Sequence, residues 1–448
     1  MHSILLLLSA PMPRRRAIIG LFLASLFWLP SQAVMAAPVG PPSSAPRSMQ
    51  AQSIVESVRP SVLQVRTLPL GNDSPFSYGS GFAVGSGNLI LTNYHVVAEV
   101  IMNPDLYRLE FLRQDGKKGA LAVVAIDVVH DLAVVRGDTG QMPVLDVDPR
   151  VPDKGARGYS IGFPKNQGLT VTEGIVNGLS EDSARGAIHF SGPVNSGMSG
   201  GPAVDTSGRV FGVNVASLRS SQLISFVVPA KEAIALVERA QIAKAPTTAD
   251  LMLDLTRQLQ TNSTDALGLL SAVALPVQSF GHFQAPADPG KFARCYGTNE
   301  KEADKLYRVA QYRCRFKDAS YVADGLYLGS WSFSHQHIKA PDLGALRFAS
   351  LQESLLEPGD DTSATNRTHK TRWSCQNRVV ALSGGRAKAV LCLRRYSKFD
   401  GLYDVELKLT TLTDPAETLL SSLTLDGFGY PESMVFVRRF MEAITWKP

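Results

Sequence analysis

The stretch Asn195-Ser196-Gly197-Met198-Ser199-Gly200-Gly201-Pro202 sets one serine among glycines just ahead of a proline. Glycine permits turns too tight for residues bearing a Cβ, so this segment can hold a hydroxyl at a bend and let backbone N–H groups converge beside it. A serine hydroxyl is a poor nucleophile at neutral pH unless an imidazole takes its proton and a carboxylate fixes the imidazole's tautomer. Both lie upstream. His95 stands in Leu91-Thr92-Asn93-Tyr94-His95-Val96-Val97, and Asp131 opens the apolar run Leu132 to Val135, giving the order His, Asp, Ser at intervals of 36 and 68 residues. Each also has an ordinary reading: a glycine turn, a packed strand-end histidine, a capping aspartate. The conjunction of all three, each beside a β-rich apolar run, favours nucleophilic catalysis. Asp127 and His130 flank Asp131, but only Asp131 begins the apolar strand.

These residues resemble the trypsin-like serine proteases of the chymotrypsin fold, and within them the HtrA/Deg branch. The resemblance covers residues 50 to 243. It implies an all-β domain of two six-stranded barrels with the site in the cleft between them. Ser199 is then the nucleophile, His95 the proton shuttle and Asp131 its orienting carboxylate. The N–H groups of Gly197 and Ser199 form the oxyanion hole, and no cofactor or metal is required. The flanks agree: a helix over Ala51 to Val58 stopped by Pro60, a strand over Ser61 to Thr67, and a hairpin of Ser80 to Val84 with Leu89 to Thr92. Beyond the serine, paired strands cover Arg209 to Ala216 and Leu223 to Val228, and Pro229 begins an amphipathic helix.

Departures from the family carry information. Met198 replaces the acid that pancreatic-type enzymes pair with a new amino terminus, so activation by that salt bridge is excluded and competence is expected from loop ordering. The base of the primary specificity pocket falls near Pro193 and Val194, where no acid stands ready for Arg or Lys. Cleavage after small or medium aliphatic residues is expected, with substrate pairing along Asn214, Val215 and Ala216. HtrA/Deg proteins usually carry PDZ domains, and no carboxylate-binding loop of that kind follows.

Arg14 to Arg16 precede an apolar run from Ala17 to Leu29, and small residues end at Ala36, the three-part pattern of a signal peptide over residues 1–36. Residues 37–49, rich in Pro, Ser and Ala, read as a disordered spacer. Removing residues 1–36 lowers the formal charge from +5 to +2 by loss of three arginines. That balance gives no reason to expect a nucleic-acid partner, and no later run is long enough to span a membrane. An exported protein acting on polypeptides in a bacterial envelope, in its periplasm or secreted beyond it, is what the resemblance implies, with protein quality control as the setting.

Residues 244–249 read as a linker, and residues 250–448 as a separate α+β domain of open role, including docking to an envelope partner. Helices are expected over Asp250 to Gln260, Thr264 to Val273 and Glu432 to Thr445, with short strands between. A weak repeat places Cys295 and Cys314 before Asp324-Gly325-Leu326-Tyr327, and Cys375 and Cys392 before Asp400-Gly401-Leu402-Tyr403. Four cysteines allow three pairings. The repeat favours Cys295 with Cys314 and Cys375 with Cys392 across two hairpins, while a zinc site of all four lacks the close CxxC spacing. His335 and His337 share a strand face but have no evident third metal ligand, and solvated histidines are expected there. A second function class stays open: a catalytically silent binding or sensor protein of the envelope built on a protease scaffold.

Overall fold

The computed structural model describes residues 49–448 except 86–87, 165–166, 181–184, 216–224, 273, 291–292, 301–305, 317–318, 358–367 and 448. The expected signal peptide and nearly all of the spacer therefore lie outside the described residues, as does Ala216.

Helix α1 (Met49–Val58) runs into a single turn at Arg59–Ser61, where Pro60 has no N–H to continue the helix. Six antiparallel strands then close a barrel: β1 (Val62–Pro69), β2 (Ser77–Val84), β3 (Leu89–Thr92), β4 (Tyr107–Leu112), β5 (Lys118–Asp127) and β6 (Leu132–Arg136). Helix α2 (Tyr94–Met102) leaves the end of β3. A second barrel follows from β7 (Arg157–Gly162), β8 (Thr170–Leu179), β9 (Ile188–Phe190), β10 (Pro202–Val204), β11 (Val210–Val215) and β12 (Ser225–Pro229). This is the chymotrypsin-like arrangement.

Successive strand residues point to opposite faces, and here both faces of the first barrel's strands are covered. Leu63, Val65, Ile90 and Val135 pack in one apolar cluster, while Val62, Leu89, Leu91 and Val134 pack in another with Tyr159, Ile161 and Val213 of the second barrel. Such strands read in sequence as continuous apolar runs rather than alternation. Helix α3 (Ala230–Ile242) buries Ala233, Leu236 and Ala240 in that second cluster.

The second half opens on α4 (Thr248–Ala272), one helix of 25 residues where the sequence suggested two. Asn262, Ser263 and Thr264 are weak helix formers, which is why a break is expected there. Ser263 Oγ instead donates to Leu259 O at 2.7 Å, and Leu267 and Leu270 carry the apolar face onward. After the hairpin β13 (Val277–Phe280) and β14 (Phe283–Pro286) come β15 (Ala293–Glu300), β16 (Arg308–Phe316), β17 (Ser320–Ala323), β18 (Leu326–Leu328) and β19 (Ser330–Lys339). Helix α5 (Ala345–Ser354) precedes β20 (Ser374–Leu382), β21 (Gly385–Arg395), β22 (Leu402–Thr411) and β23 (Glu417–Gly429). A seven-stranded antiparallel sheet in the order β15-β16-β19-β23-β22-β21-β20 forms the frame, and β17 pairs with β18 in a separate two-stranded sheet. Helix α6 (Tyr430–Glu442) is shorter than expected, because Thr445 and Trp446 form β24 against β14.

Cys295 is bonded to Cys314 and Cys375 to Cys392. Following paired residues across the sheet puts Cys314 in register with Phe333, Leu423 and Leu407, and Cys392 with Glu406 and Thr424. The two bridges therefore pin hairpins at opposite edges and on opposite faces. His335 and His337 are not solvated. Residues 331, 333, 335 and 337 share one face of β19, and His335 is fully buried among Phe280, Phe333 and Phe440 with its Nδ1 2.8 Å from Ser421 Oγ. Burial lowers its pKa to about 3. His337 is spent on Glu417.

Residues 49–448 form one compact unit. A single apolar cluster contains Leu63, Tyr94, Ile101 and Met102 of the barrel half together with Leu251, Leu255, Leu259, Val322, Leu326, Phe399 and Leu402 of the second half.

Candidate active site

Asn93 ends β3 in extended backbone and hands the chain to α2, whose second residue is His95. Asp131 sits just before β6, which pairs with β3, so sheet pairing alone brings the two together. The contact is extensive. His95 Nδ1 lies 2.6 Å from Asp131 Oδ2, and the His95 N–H donates to Oδ1 at 2.8 Å. The Asp131 carbonyl accepts from Tyr94 N at 3.1 Å and from Asn93 Nδ2 at 2.7 Å. Asp131 has φ 57°, the one non-glycine in the left-handed region among the described residues. That conformation costs on the order of 1 kcal/mol and persists where neighbours over-determine it, as these four bonds do. Burial works most strongly against the His95 imidazolium, but the Asp131 charge and hydrogen bond outweigh it and hold the pKa above the usual histidine value.

Ser199 stands on the other barrel, in the loop before β10, 3% exposed. Its placement depends on Ser80. The Ser80 N–H donates to Ser199 O at 2.7 Å, and Ser80 Oγ donates to Gly197 O at 2.7 Å while accepting from Phe163 N at 2.9 Å. Gly200, at φ 83°, presses so closely on the first barrel that a Cβ there would lie 2.2 Å from Ser80 O, 2.3 Å from Thr92 Oγ1 and 3.0 Å from Asn93 N. The serine loop is thus seated against the residues that lead into His95. Gly197 has φ 96°, open to glycine and strained for other residues. The N–H groups of Gly197 and Ser199 have no acceptor among the described residues. Ser199 Oγ makes no hydrogen bond to His95 among them either. Met198 is fully buried with Val176, Phe190, Phe211 and Val227, so this position serves the second barrel's core.

Val194 joins that same core cluster, while Pro193 is exposed and its carbonyl accepts from Thr172 Oγ1 at 2.8 Å. Asn214 does not offer the backbone edge expected of a substrate-pairing residue. Its N–H donates to Gly201 O and its carbonyl accepts from Gly200 N, both at 2.9 Å, and its side chain ties Ile161 O to Pro202 O. Strand alternation sends its polar groups inward. Asp127 and His130 form a pair of their own at 2.8 Å, apart from His95. Two supporting residues escaped the sequence reading. Asn93 fixes Asp131, and Ser80 braces the serine loop; the Gly79-Ser80-Gly81 run was the signal for the second. No cluster of His, Cys, Asp and Glu among the described residues suits a metal ion, and no described helix is long and apolar enough to cross a membrane.

Residues 79–213 match the family of trypsin-like peptidase domains. Over 225 residues the chain is 33% identical to the mitochondrial serine protease HTRA2 of Bos taurus, covering 46% of this chain and 47% of the relative. Over 179 residues it is 31% identical to a probable periplasmic serine endoprotease, DegP-like, of Brucella suis biovar 1 (strain 1330), covering 38% and 34%. A solved serine endoprotease from Yersinia pestis is 29% identical over 42% of this chain and 65% of its own, with a TM-score of 0.38. The chain spans less than half the length of the two curated relatives. Through residues 79–213 the chain is similar to trypsin-like peptidase domains, and it shares sequence with the HtrA and DegP-like serine proteases.

Proposed function

We propose that the protein is an exported serine endopeptidase that cleaves peptide bonds through an acyl-enzyme. The observation that carries this reading is the His95–Asp131 pair, held by a strained and fourfold-bonded aspartate, facing a serine loop braced on the same barrel by Ser80. Ser199 Oγ attacks the scissile carbonyl as His95 Nε2 takes its proton, and Asp131 holds Nδ1–H so that Nε2 is free to accept. The N–H groups of Gly197 and Ser199, without an acceptor among the described residues, receive the oxyanion, and losing one such donor costs about 3 to 4 kcal/mol of transition-state stabilisation. His95 then returns the proton to the leaving amine, and water repeats the sequence to free the acid.

In this reading residues 1–36 direct export, 37–49 space the catalytic part from that signal, 50–243 form the protease, and 250–448 follow a link at 244–249. The apolar cluster that holds Val194 supports cleavage after small or medium aliphatic side chains. The disulfides and the periplasmic DegP-like relative support a bacterial envelope location, with protein quality control as the setting. The absent Ser199–His95 hydrogen bond favours the second reading, a silent protease scaffold, although such bonds are often long before substrate arrives.

A fluorophosphonate probe separates the two. The mature protein is expected to be labelled at Ser199, and Ser199→Ala to abolish the signal. A folded wild type that stays unlabelled would establish the silent scaffold.

A further inference from the structure

Among the described residues, the second half of the chain reaches the candidate cleft through the hairpin β17-β18. Its strands alternate. Ser320 and Val322 are fully buried, whereas Tyr321 between them is half-buried and Tyr327, its cross-strand partner, is 52% exposed. The hairpin is fastened to both barrels: Tyr94 Oη donates to Val322 O at 3.0 Å, and Arg185 Nη2 donates to Ser320 Oγ at 2.9 Å. Tyr94 adjoins His95, so the first bond fixes the hairpin to the helix that carries the imidazole. The Tyr321 ring consequently stands edge-on to His95, with centroids 6.0 Å apart, and is itself buttressed edge-on by Tyr327 at 5.6 Å.

Arg185 shows on which side of His95 this happens. It lines a cavity of about 160 Å³ together with Asp131, Val215 and Phe226. Val215 ends the strand along which the acyl part of an extended substrate would run, so the hairpin and that strand flank the same side of the imidazole.

We propose that Tyr321 is a specificity-determining residue: the second half supplies, through this ring, the wall of the subsite for the substrate side chain just before the residue at the scissile carbonyl. The proposal rests on the protease reading above. A phenol edge beside His95, with a second ring behind it, leaves room for small side chains at that position and excludes bulky ones. It also gives the second half a function at the site, since among the described residues Tyr321 is the ring that packs against His95.

The test uses the mature chain and paired peptide substrates that differ only at this position, Ala against Phe, with kcat/KM measured for each. Tyr321→Ala is expected to raise the Phe-to-Ala ratio about ten-fold, the scale of a change in side-chain fit, and Tyr321→Trp to lower it. Tyr321→Phe is expected to keep the wild-type ratio. Labelling by a small fluorophosphonate, which has no side chain for this subsite, should proceed at the wild-type rate in all three. Wild type that fails to label defeats the protease reading itself. Normal labelling with unchanged ratios in Tyr321→Ala and Tyr321→Trp defeats the role of Tyr321. Tyr321 lies outside the buried face of its strand, and should Tyr321→Ala not fold, the Trp variant decides.

Discussion

Asp131 concentrates more constraint than any other residue of the candidate site. Its left-handed backbone would relax if its partners were lost, so the bonds from Asn93, Tyr94 and His95 fix the orientation of the carboxylate as well as its charge. Asp131→Asn is expected to lower kcat/KM by about 10⁴-fold, since an amide N–H facing Nδ1 favours the wrong imidazole tautomer. The pH profile should report the same pair. Because Asp131 raises the His95 pKa, wild-type kcat/KM should climb with pH through a value above 6.5, and that limb should move toward acid in Asp131→Asn. An unmoved limb would remove His95 as the titrating base. The sign for stability is opposite: the pair's contribution is complete below the unfolded histidine pKa and fades as pH rises through the elevated one.

Strand β19 illustrates how an element turns a polar residue into a structural one. Trp331, Phe333, His335 and His337 all face the core, and a buried imidazole with a pKa of about 3 must stay neutral for the sheet to pack. A depressed histidine pKa makes the fold lose stability as pH falls from 6.5 toward 3, by on the order of 4 to 5 kcal/mol at the acid end. Replacing His335 with Gln should flatten the dependence of the urea midpoint on pH between 6 and 4, whatever it does to the midpoint at neutrality. A slope equal to wild type would place the acid sensitivity elsewhere. The hairpins closed by the two disulfides gain stability by a separate route, each bridge restricting the unfolded chain by about 3 kcal/mol on loop-closure entropy.

At the scale of the whole molecule, the two halves share one apolar cluster, in which α4 and the β17-β18 hairpin cover the outer side of α2. Ile101 and Met102 are each no more than 2% exposed there. Cutting the chain at residue 243 would uncover this surface, and such exposed apolar patches drive association. Residues 49–243 alone are expected to melt lower than residues 49–448 or to aggregate, and the longer chain to unfold in one calorimetric transition under oxidising conditions. Two transitions, one matching the isolated barrels, would show that the shared cluster contributes little coupling.

What the sequence determined by itself was local and ordered: the glycine-bracketed serine, the histidine and aspartate ahead of it, the strands about them and the cysteine pairs of two hairpins. These are legible because turn chemistry, strand alternation and nearest-neighbour hairpin pairing act over a few residues. Tertiary structure alone decided the rest. Asn214 turned inward because its polar groups close the serine loop, and His335 became buried because aromatic rings from β13 and α6 meet over β19. Tyr321 reached His95 because an apolar hairpin 226 residues further along the chain found the uncovered side of α2. Contacts of that kind depend on which surfaces remain to be buried once the elements exist, and no short-range pattern records them.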